Sequence, residues 1–249
     1  MGELDGKVAV IYGTGAIGTA VARAFAAEGT RVHLGGRTAA HLEEVAASIR
    51  DDGGDARTGV VDALDAASVR AFTDQVVAES GRIDVGFNLI HHGDVHGTPL
   101  IDLDVEDFVR PIDSMVRSTL LTSQAVARQM VQQDSGGVIL FFGGEGQPMR
   151  DYFIGGTQVA FNAQEFMRRQ LATELGPQGV RVITIITGGI PESSDEIPPE
   201  AVEGMASAGL VGRAGTFADV ANAAVFAASD RACIMTAATL NISGGAIID

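Results

Sequence analysis

Seven short apolar runs are spaced along the chain, at Lys7 to Tyr12, Arg31 to Leu34, Ala56 to Val61, Ile83 to Leu89, Gly137 to Phe142, Val180 to Ile186 and Thr239 to Ile242. They are of strand length and largely without polar alternation, which suits strands of a parallel sheet buried on both faces. Between them, apolar residues recur at helical spacing. The periodicity predicts helices over about Ala16 to Glu28, Ala39 to Asp52, Ala66 to Ser80, Val105 to Gln133, Gly156 to Leu175 and Phe217 to Ser229. Strand and helix alternate throughout, so the expected architecture is α/β: one doubly wound, seven-stranded parallel sheet with helices on both faces. Gly29, Gly53, Gly81 and Gly176 stand where left-handed helix C-caps are wanted, a conformation glycine enters without a Cβ clash. Pro191 to Glu200 carries three prolines and four acids. That stretch is expected to lack regular structure and to belong to a mobile flap over about 190–209.

Composition narrows the partners. The 249 residues are 46% hydrophobic, enough to bury one substantial core without a second domain. A net charge of −15 repels phosphate backbones and anionic lipid surfaces, which argues against nucleic acid and membrane. The single cysteine, Cys233, excludes an intrachain disulfide and reads as a packed thiol, and no apolar stretch approaches the roughly 20 residues of a membrane span. Residues Met1 to Lys7 lack the basic start and apolar run of a secretory leader, so a cytoplasmic protein is expected. The chain also holds one lysine, Lys7, and two tyrosines, Tyr12 and Tyr152. Chemistry that needs a lysine in mid-chain is therefore excluded.

The first apolar run leads into Gly13-Thr14-Gly15-Ala16-Ile17-Gly18, a G-x-G-x-x-G that opens a helix. Glycines at this spacing permit a tight turn, let the backbone approach a pyrophosphate and allow close helix-to-sheet packing, while helix N-terminal amides face the phosphates. Gly13, Thr14, Gly15, Ile17 and Gly18 are thus the first candidate cofactor residues. An NAD site usually places an acid about 20 residues beyond this turn. Here the second run closes on Gly35-Gly36-Arg37, and a guanidinium without an adjacent acid favours the 2′-phosphate of NADP(H) over NAD(H), unless Arg37 is a solvated loop charge. Asp62 closes the third run. It either accepts a hydrogen bond from adenine or caps the following helix.

With these residues in view, the chain resembles the short-chain dehydrogenase/reductase family from Lys7 to Gly245. The matching segments include Val61-Asp62, Arg82-Ile83-Asp84-Val85, Leu171-Ala172-Thr173-Glu174-Leu175, Gly179-Val180-Arg181-Val182, Leu210 to Gly215, Ala228-Ser229-Asp230 and Ile242-Ser243-Gly244-Gly245. The resemblance implies a Rossmann-type fold, a nicotinamide cofactor, a small-molecule substrate and a homodimer or homotetramer built on the helices at Val105 to Gln133 and Gly156 to Leu175. It adds Asn88, Gly188 and Ile190 to the cofactor contacts. Two departures lie near that cofactor. The glycine turn is one residue shorter than the family's, and the family's Asn-Asn-Ala-Gly reads Asn88-Leu89-Ile90-His91, which puts an imidazole where a small residue makes room.

A third departure concerns chemistry. By the resemblance, catalysis belongs to a tyrosine with a lysine four residues on, a serine thirteen residues before the tyrosine and a helix asparagine. Shifting a tyrosine from about pH 10 to about 7 takes some 4 kcal/mol of preferential anion stabilisation, which the lysine helps to supply. Counting back from Leu171 to Leu175, the four places fall on Thr157, Phe161, Gly144 and Met115. None can do the work, and the only lysine precedes the first strand. The candidate replacements are Tyr152, in the loop before the long helix, and His92, in the cluster His91, His92 and His96. Tyr152 reads equally as a loop anchor, and each histidine as structural or exposed. Glu145 in the following glycine-rich loop is a further candidate base, and His33 reads as packing inside a strand. The histidine spacing, with Asp94 not evidently positioned, does not demand a metal. Phe141, Phe142, Met149, Phe153 and Ile154 suggest an apolar pocket wall. Three functions fit: an NADP(H)-dependent oxidoreductase with a rebuilt proton donor, a non-redox enzyme of elimination, isomerisation or cyclisation, and a catalytically silent nucleotide-binding subunit.

Overall fold

A computed structural model describes residues 2–133, 135–143, 153–193 and 197–248. Its strands are β1 (Val8–Tyr12), β2 (Arg31–Gly36), β3 (Asp55–Val60), β4 (Val85–Asn88), β5 (Gly137–Gly143), β6 (Val180–Ile186) and β7 (Ala238–Asn241). All pair in parallel, in the order β3-β2-β1-β4-β5-β6-β7. The chain reverses direction across the sheet at β1, so the loops after β1 and β4 part and leave a crevice at the strands' C-terminal ends.

Alternate residues of each strand feed two cores. Ala9 and Ile11 of β1 join Val21, Ala22 and Phe25 of α1 (Ala16–Ala27), Leu42, Val45 and Ile49 of α2 (Ala39–Asp51), and Val220 and Ala224 of α7 (Phe217–Ala228). Val8, Val10 and Tyr12 point the other way. They meet Phe72 and Val76 of α3 (Ala66–Ser80), Val126 and Met130 of α4 (Val105–Gln132) and Ala172 of α5 (Thr157–Leu175). This is the two-faced covering that the long apolar runs predict.

Local punctuation follows the sequence with four corrections. Gly81 caps α3 at φ 77°, and Gly29 and Gly53 are left-handed at 89° and 87°. Gly176, however, has φ −55° and continues into a 3₁₀ turn over Gly176–Gln178, with Gly179 left-handed at 77° instead. The cap of α3 is Asp65, which accepts from the amides of Ala67 and Ser68, whereas Asp62 accepts from Leu64 in a separate turn. The proline-rich stretch is not wholly irregular. Pro191–Ser193 forms a 3₁₀ turn and α6 runs over Pro199–Ala208, because a proline in the first helical turn removes an N–H that has no partner there anyway. Finally, Cys233 is exposed, the buried place beside it being taken by Ala232.

Candidate active site

The glycine turn shows which of its glycines serve the fold. Gly13 has φ 98°, and a Cβ there would lie 2.5 Å from the Leu89 carbonyl oxygen, which holds the β1 and β4 loops together. At Gly18 a Cβ would fall 2.0 Å from the carbonyl oxygen of Gly13, which lets α1 approach the turn. Gly15 differs. Nothing lies within 4 Å of a Cβ built on it, and as N-cap of α1 it offers no side chain to the first amides of the helix. Its bare face opens on the crevice, so internal packing does not account for it. The adjacent Thr14 carbonyl is held by Thr19 Oγ1 at 3.1 Å and His41 Nε2 at 2.7 Å.

On the β2 side stands Arg37, exposed and without a hydrogen bond or ion pair among the described residues. The turn offers backbone amides at the N-terminus of α1, and Arg37 an unspent guanidinium, to the phosphates of a dinucleotide. Asn88 closes β4 and is spent on the fold, its Nδ2 donating to Ser118 Oγ at 3.1 Å and Thr119 Oγ1 at 3.3 Å while its Oδ1 accepts from Ile90 N at 3.1 Å. Ile190 is buried in the core, and Gly188 is required by packing, since a Cβ there would meet Ala246 Cβ at 2.7 Å.

On the β4 side the crevice narrows to a cavity of about 260 Å³. Its wall joins the glycine turn to Leu89, Met115, Phe142, Phe161 and Phe217, and among the described residues it contains no lysine, arginine, aspartate or glutamate. Of the four places to which the resemblance assigns catalysis, Met115 and Phe161 are in this wall, and both are apolar. Thr157 begins α5, buried and with its hydroxyl unpartnered, and is not in the wall. Gly144, Glu145, Met149 and Tyr152 lie outside the described residues. Of the expected wall residues Phe142 contributes, while Phe141 is fully buried inside the sheet and Phe153 is exposed. Phe217 was not foreseen. In the sequence it is only the first apolar residue of a helix, and it enters the site through the packing of α7 against α1.

His92 also lines the cavity. Its ring stacks on His91 at 5.8 Å and meets Phe161 edge-on at 5.7 Å, and its Nε2 is buried with no hydrogen-bond partner among the described residues. Burial is the main force lowering its pKa below the usual 6.5; Asp94 opposes the shift, and His91 and His96 add to it. Contrary to the sequence reading, a carboxylate is positioned here. Asp94 faces His91 Nε2 at 3.1 Å through one oxygen and bonds His96 through the other. The Gly93 amide donates to His91 Nδ1, so the neutral His91 ring carries its proton on Nε2, toward Asp94.

The other acid-base candidates are accounted for elsewhere. Tyr12 points to the α3 and α4 face, bonded to Thr73 Oγ1 at 3.0 Å, and burial pushes its hydroxyl up to about 12. His33 is buried in β2 on Ser80 Oγ at 2.8 Å, as packing requires. Lys7, at the opposite end of β1, pairs with Asp230 at 2.8 Å.

Comparison with known proteins agrees with the fold. A family model described as enoyl-(acyl carrier protein) reductase matches residues 13–246. D-threitol dehydrogenase of Mycolicibacterium smegmatis is 34% identical over 98% of this chain and 94% of its own length. The 7alpha-hydroxysteroid dehydrogenase of Escherichia coli is 30% identical over 98% and 96%. Among solved structures, a 7alpha-hydroxysteroid dehydrogenase complexed with NADH and 7-oxo glycochenodeoxycholic acid superposes with a TM-score of 0.89 at 30% identity, covering 99% of this chain and 96% of that one. A short-chain dehydrogenase/reductase from Serratia marcescens gives 0.87 at 26%, covering 99% and 100%.

Proposed function

Because the chain belongs to the short-chain dehydrogenase/reductase family and matches its oxidoreductases along nearly its whole length, we propose that it is an oxidoreductase that uses NADP(H) to interconvert a carbonyl and an alcohol on a small, partly apolar substrate, with His92 in place of the absent tyrosine. The observation that carries this reading is the buried Nε2 of His92, without a partner among the described residues, in the wall of a cavity whose other polar side chains are hydrogen-bonded within the protein. A polar atom deprived of water costs free energy unless a ligand pairs with it, which is why such atoms mark functional sites.

The bound cofactor supplies or accepts the hydride. The chain's residues do the rest. Gly15 and the first amides of α1 receive the pyrophosphate, and Arg37 receives the 2′-phosphate. The apolar wall excludes water from the reacting carbon, and the imidazolium form of His92 protonates the carbonyl oxygen, its neutral form taking the proton back in the oxidative direction. Tyr152 is the second candidate donor. Calorimetric titration tests the cofactor: NADPH is expected to bind at least tenfold more tightly than NADH, and Arg37→Asp to erase or invert that preference. Equal affinities in the unmodified protein contradict the assignment.

A second reading draws on Met115 and Phe161, whose apolar side chains occupy two catalytic places. In it the crevice serves a non-redox elimination, isomerisation or cyclisation, or binds nucleotide without turnover. Substrate-dependent loss of NADPH absorbance separates the readings. A homodimer or homotetramer is also proposed, supported by exposed Leu120 and Val131 on α4 and Val159 and Phe166 on α5.

A further inference from the structure

The two halves of the crevice are built for opposite chemistries. On the side of β2, Arg37 is unpaired among the described residues, and the α1 amides face an open glycine. On the side of β4, the polar side chains of the cavity wall are turned onto the protein itself. Asn88 is spent on Ser118 and Thr119, Ser118 Oγ donates to the Met115 carbonyl at 3.3 Å, and the Gln164 amide donates to the Phe142 carbonyl at 3.1 Å. Where the family resemblance sets a lysine toward the ribose, Phe161 presents a ring to His92. Among the described residues, the buried polar atom of this wall left without a partner is His92 Nε2.

A nicotinamide riboside carries two ribose hydroxyls and a carboxamide. Moving them from water into this wall exchanges several hydrogen bonds for one, and the loss offsets most of what burial of the ring returns. The phosphates of the other half lose nothing comparable, because each meets a charge or a free amide. At interior packing density, about 260 Å³ holds on the order of ten heavy atoms, so the ring fits by size, and polarity rather than space limits its contribution.

We infer that the protein holds its nucleotide by the 2′-phosphoadenosine and pyrophosphate half, and that nicotinamide-free nucleotides of this chemistry are ligands in their own right, with affinities close to that of NADPH. The inference rests on the NADP(H) reading above. It makes such nucleotides effective competitors of the cofactor, and it leaves the cavity free to exchange its contents while the nucleotide anchor stays bound.

Calorimetry on the full chain with NADPH and with 2′-phosphoadenosine 5′-diphosphate tests this directly. The two dissociation constants are expected to agree within about fivefold. Phe161→Lys is expected to tighten NADPH binding about tenfold and to leave the truncated nucleotide unchanged, because the new ammonium reaches only the nicotinamide half. Should circular dichroism show that Phe161→Lys does not fold, Phe161→Gln supplies the same contrast with a gain of about threefold. Truncated nucleotide binding more than about fivefold weaker than NADPH overturns the inference and leaves the cofactor reading standing. Equal tightening of both ligands by the substitution also overturns it. Absence of binding by both nucleotides overturns the cofactor reading, and this inference with it.

Discussion

Gly15→Ser separates a glycine kept for the fold from one kept for a ligand. Gly15 is the N-cap of α1 at φ −63° and ψ −175°, an extended conformation that serine adopts without strain, and a Cβ there meets nothing within 4 Å. Serine is a better N-cap than glycine by a few tenths of a kcal/mol, since its Oγ accepts from the amides two or three residues on. Replacing glycine also lowers the entropy of the unfolded chain, worth about 0.4–1 kcal/mol when the native backbone is compatible. The sum is a stabilisation of roughly 0.5–1.5 kcal/mol, or about 1–6 °C in Tm for a chain of this size. The same hydroxyl takes up amides that a pyrophosphate needs and fills the open face above them, so NADPH affinity is expected to fall at least tenfold, about 1.4 kcal/mol. Differential scanning fluorimetry without ligand and calorimetry with NADPH read the two effects separately. A lowered Tm refutes the packing argument, and an unchanged affinity refutes the placement of the pyrophosphate. Gly18→Ala is the control: its Cβ would lie 2.0 Å from the Gly13 carbonyl oxygen, and it should destabilise the fold itself.

Further outcomes follow from the same geometry. His92→Ala should reduce turnover of a native substrate at least tenfold while leaving NADPH affinity within about twofold, as steady-state kinetics and calorimetry will show. Because burial lowers the pKa of His92 below 6.5, carbonyl reduction, which needs the imidazolium, should decline as pH rises through that lowered value. Alcohol oxidation, which needs the neutral ring, should hold up through neutral pH; reduction rates that increase from pH 6 to 8 would exclude His92 as the donor. His33 is held down to about 4 by burial, so below pH 6.5 the unfolded chain binds a proton that the folded chain refuses. Its contribution is intact above pH 6.5 and is lost progressively as pH falls toward 4, up to about 3 kcal/mol; urea midpoints at pH 7 and 4.5 should differ less in His33→Gln than in the parent protein. Light scattering should give a mass at least twice the 25.7 kDa of one chain, and a monomer would refute the proposed role of the exposed α4 and α5 residues.

The parts of the molecule legible in the sequence are those fixed by local physics. The bounds of α3, Ala66–Ser80, follow directly from the pattern, because Asp65 and Gly81 punctuate it at both ends. Strand β6 coincides with its apolar run, Val180–Ile186. Where two residues compete for one local role, the pattern misassigns it: Asp62 and Asp65 are both plausible caps, and three positions decide between them. The helix α6 was hidden because prolines disfavour helix interiors but not first turns. In the site, Gly13, Gly15 and Gly18 were equivalent letters, and only the neighbours of each separate fold from ligand. Phe217 and the positioned Asp94 depend on contacts that spacing alone does not encode.

Met115 and Phe161, at two of the places to which the resemblance assigns catalysis, share the cavity wall, and physical chemistry explains why they can go together. A lysine in the wall of a small cavity is tolerable when a tyrosinate, a ribose and an asparagine share its charge; without them it is an unpaired buried cation. With threonine at the tyrosine place that the resemblance implies, phenylalanine at the lysine place and methionine at the asparagine place remove that cost, and both line the cavity with Phe142 and Phe217. The resulting apolar wall in turn sets the state of His92, because the burial that keeps its Nε2 from water is also the main force that lowers its pKa. Arg37 stands across β1 from that wall with its charge unpaired among the described residues, and the glycine turn, which borders the cavity, presents backbone rather than polar side chains to it. Nucleotide recognition can therefore persist on one side of the sheet's reversal point while the proton chemistry is rebuilt on the other.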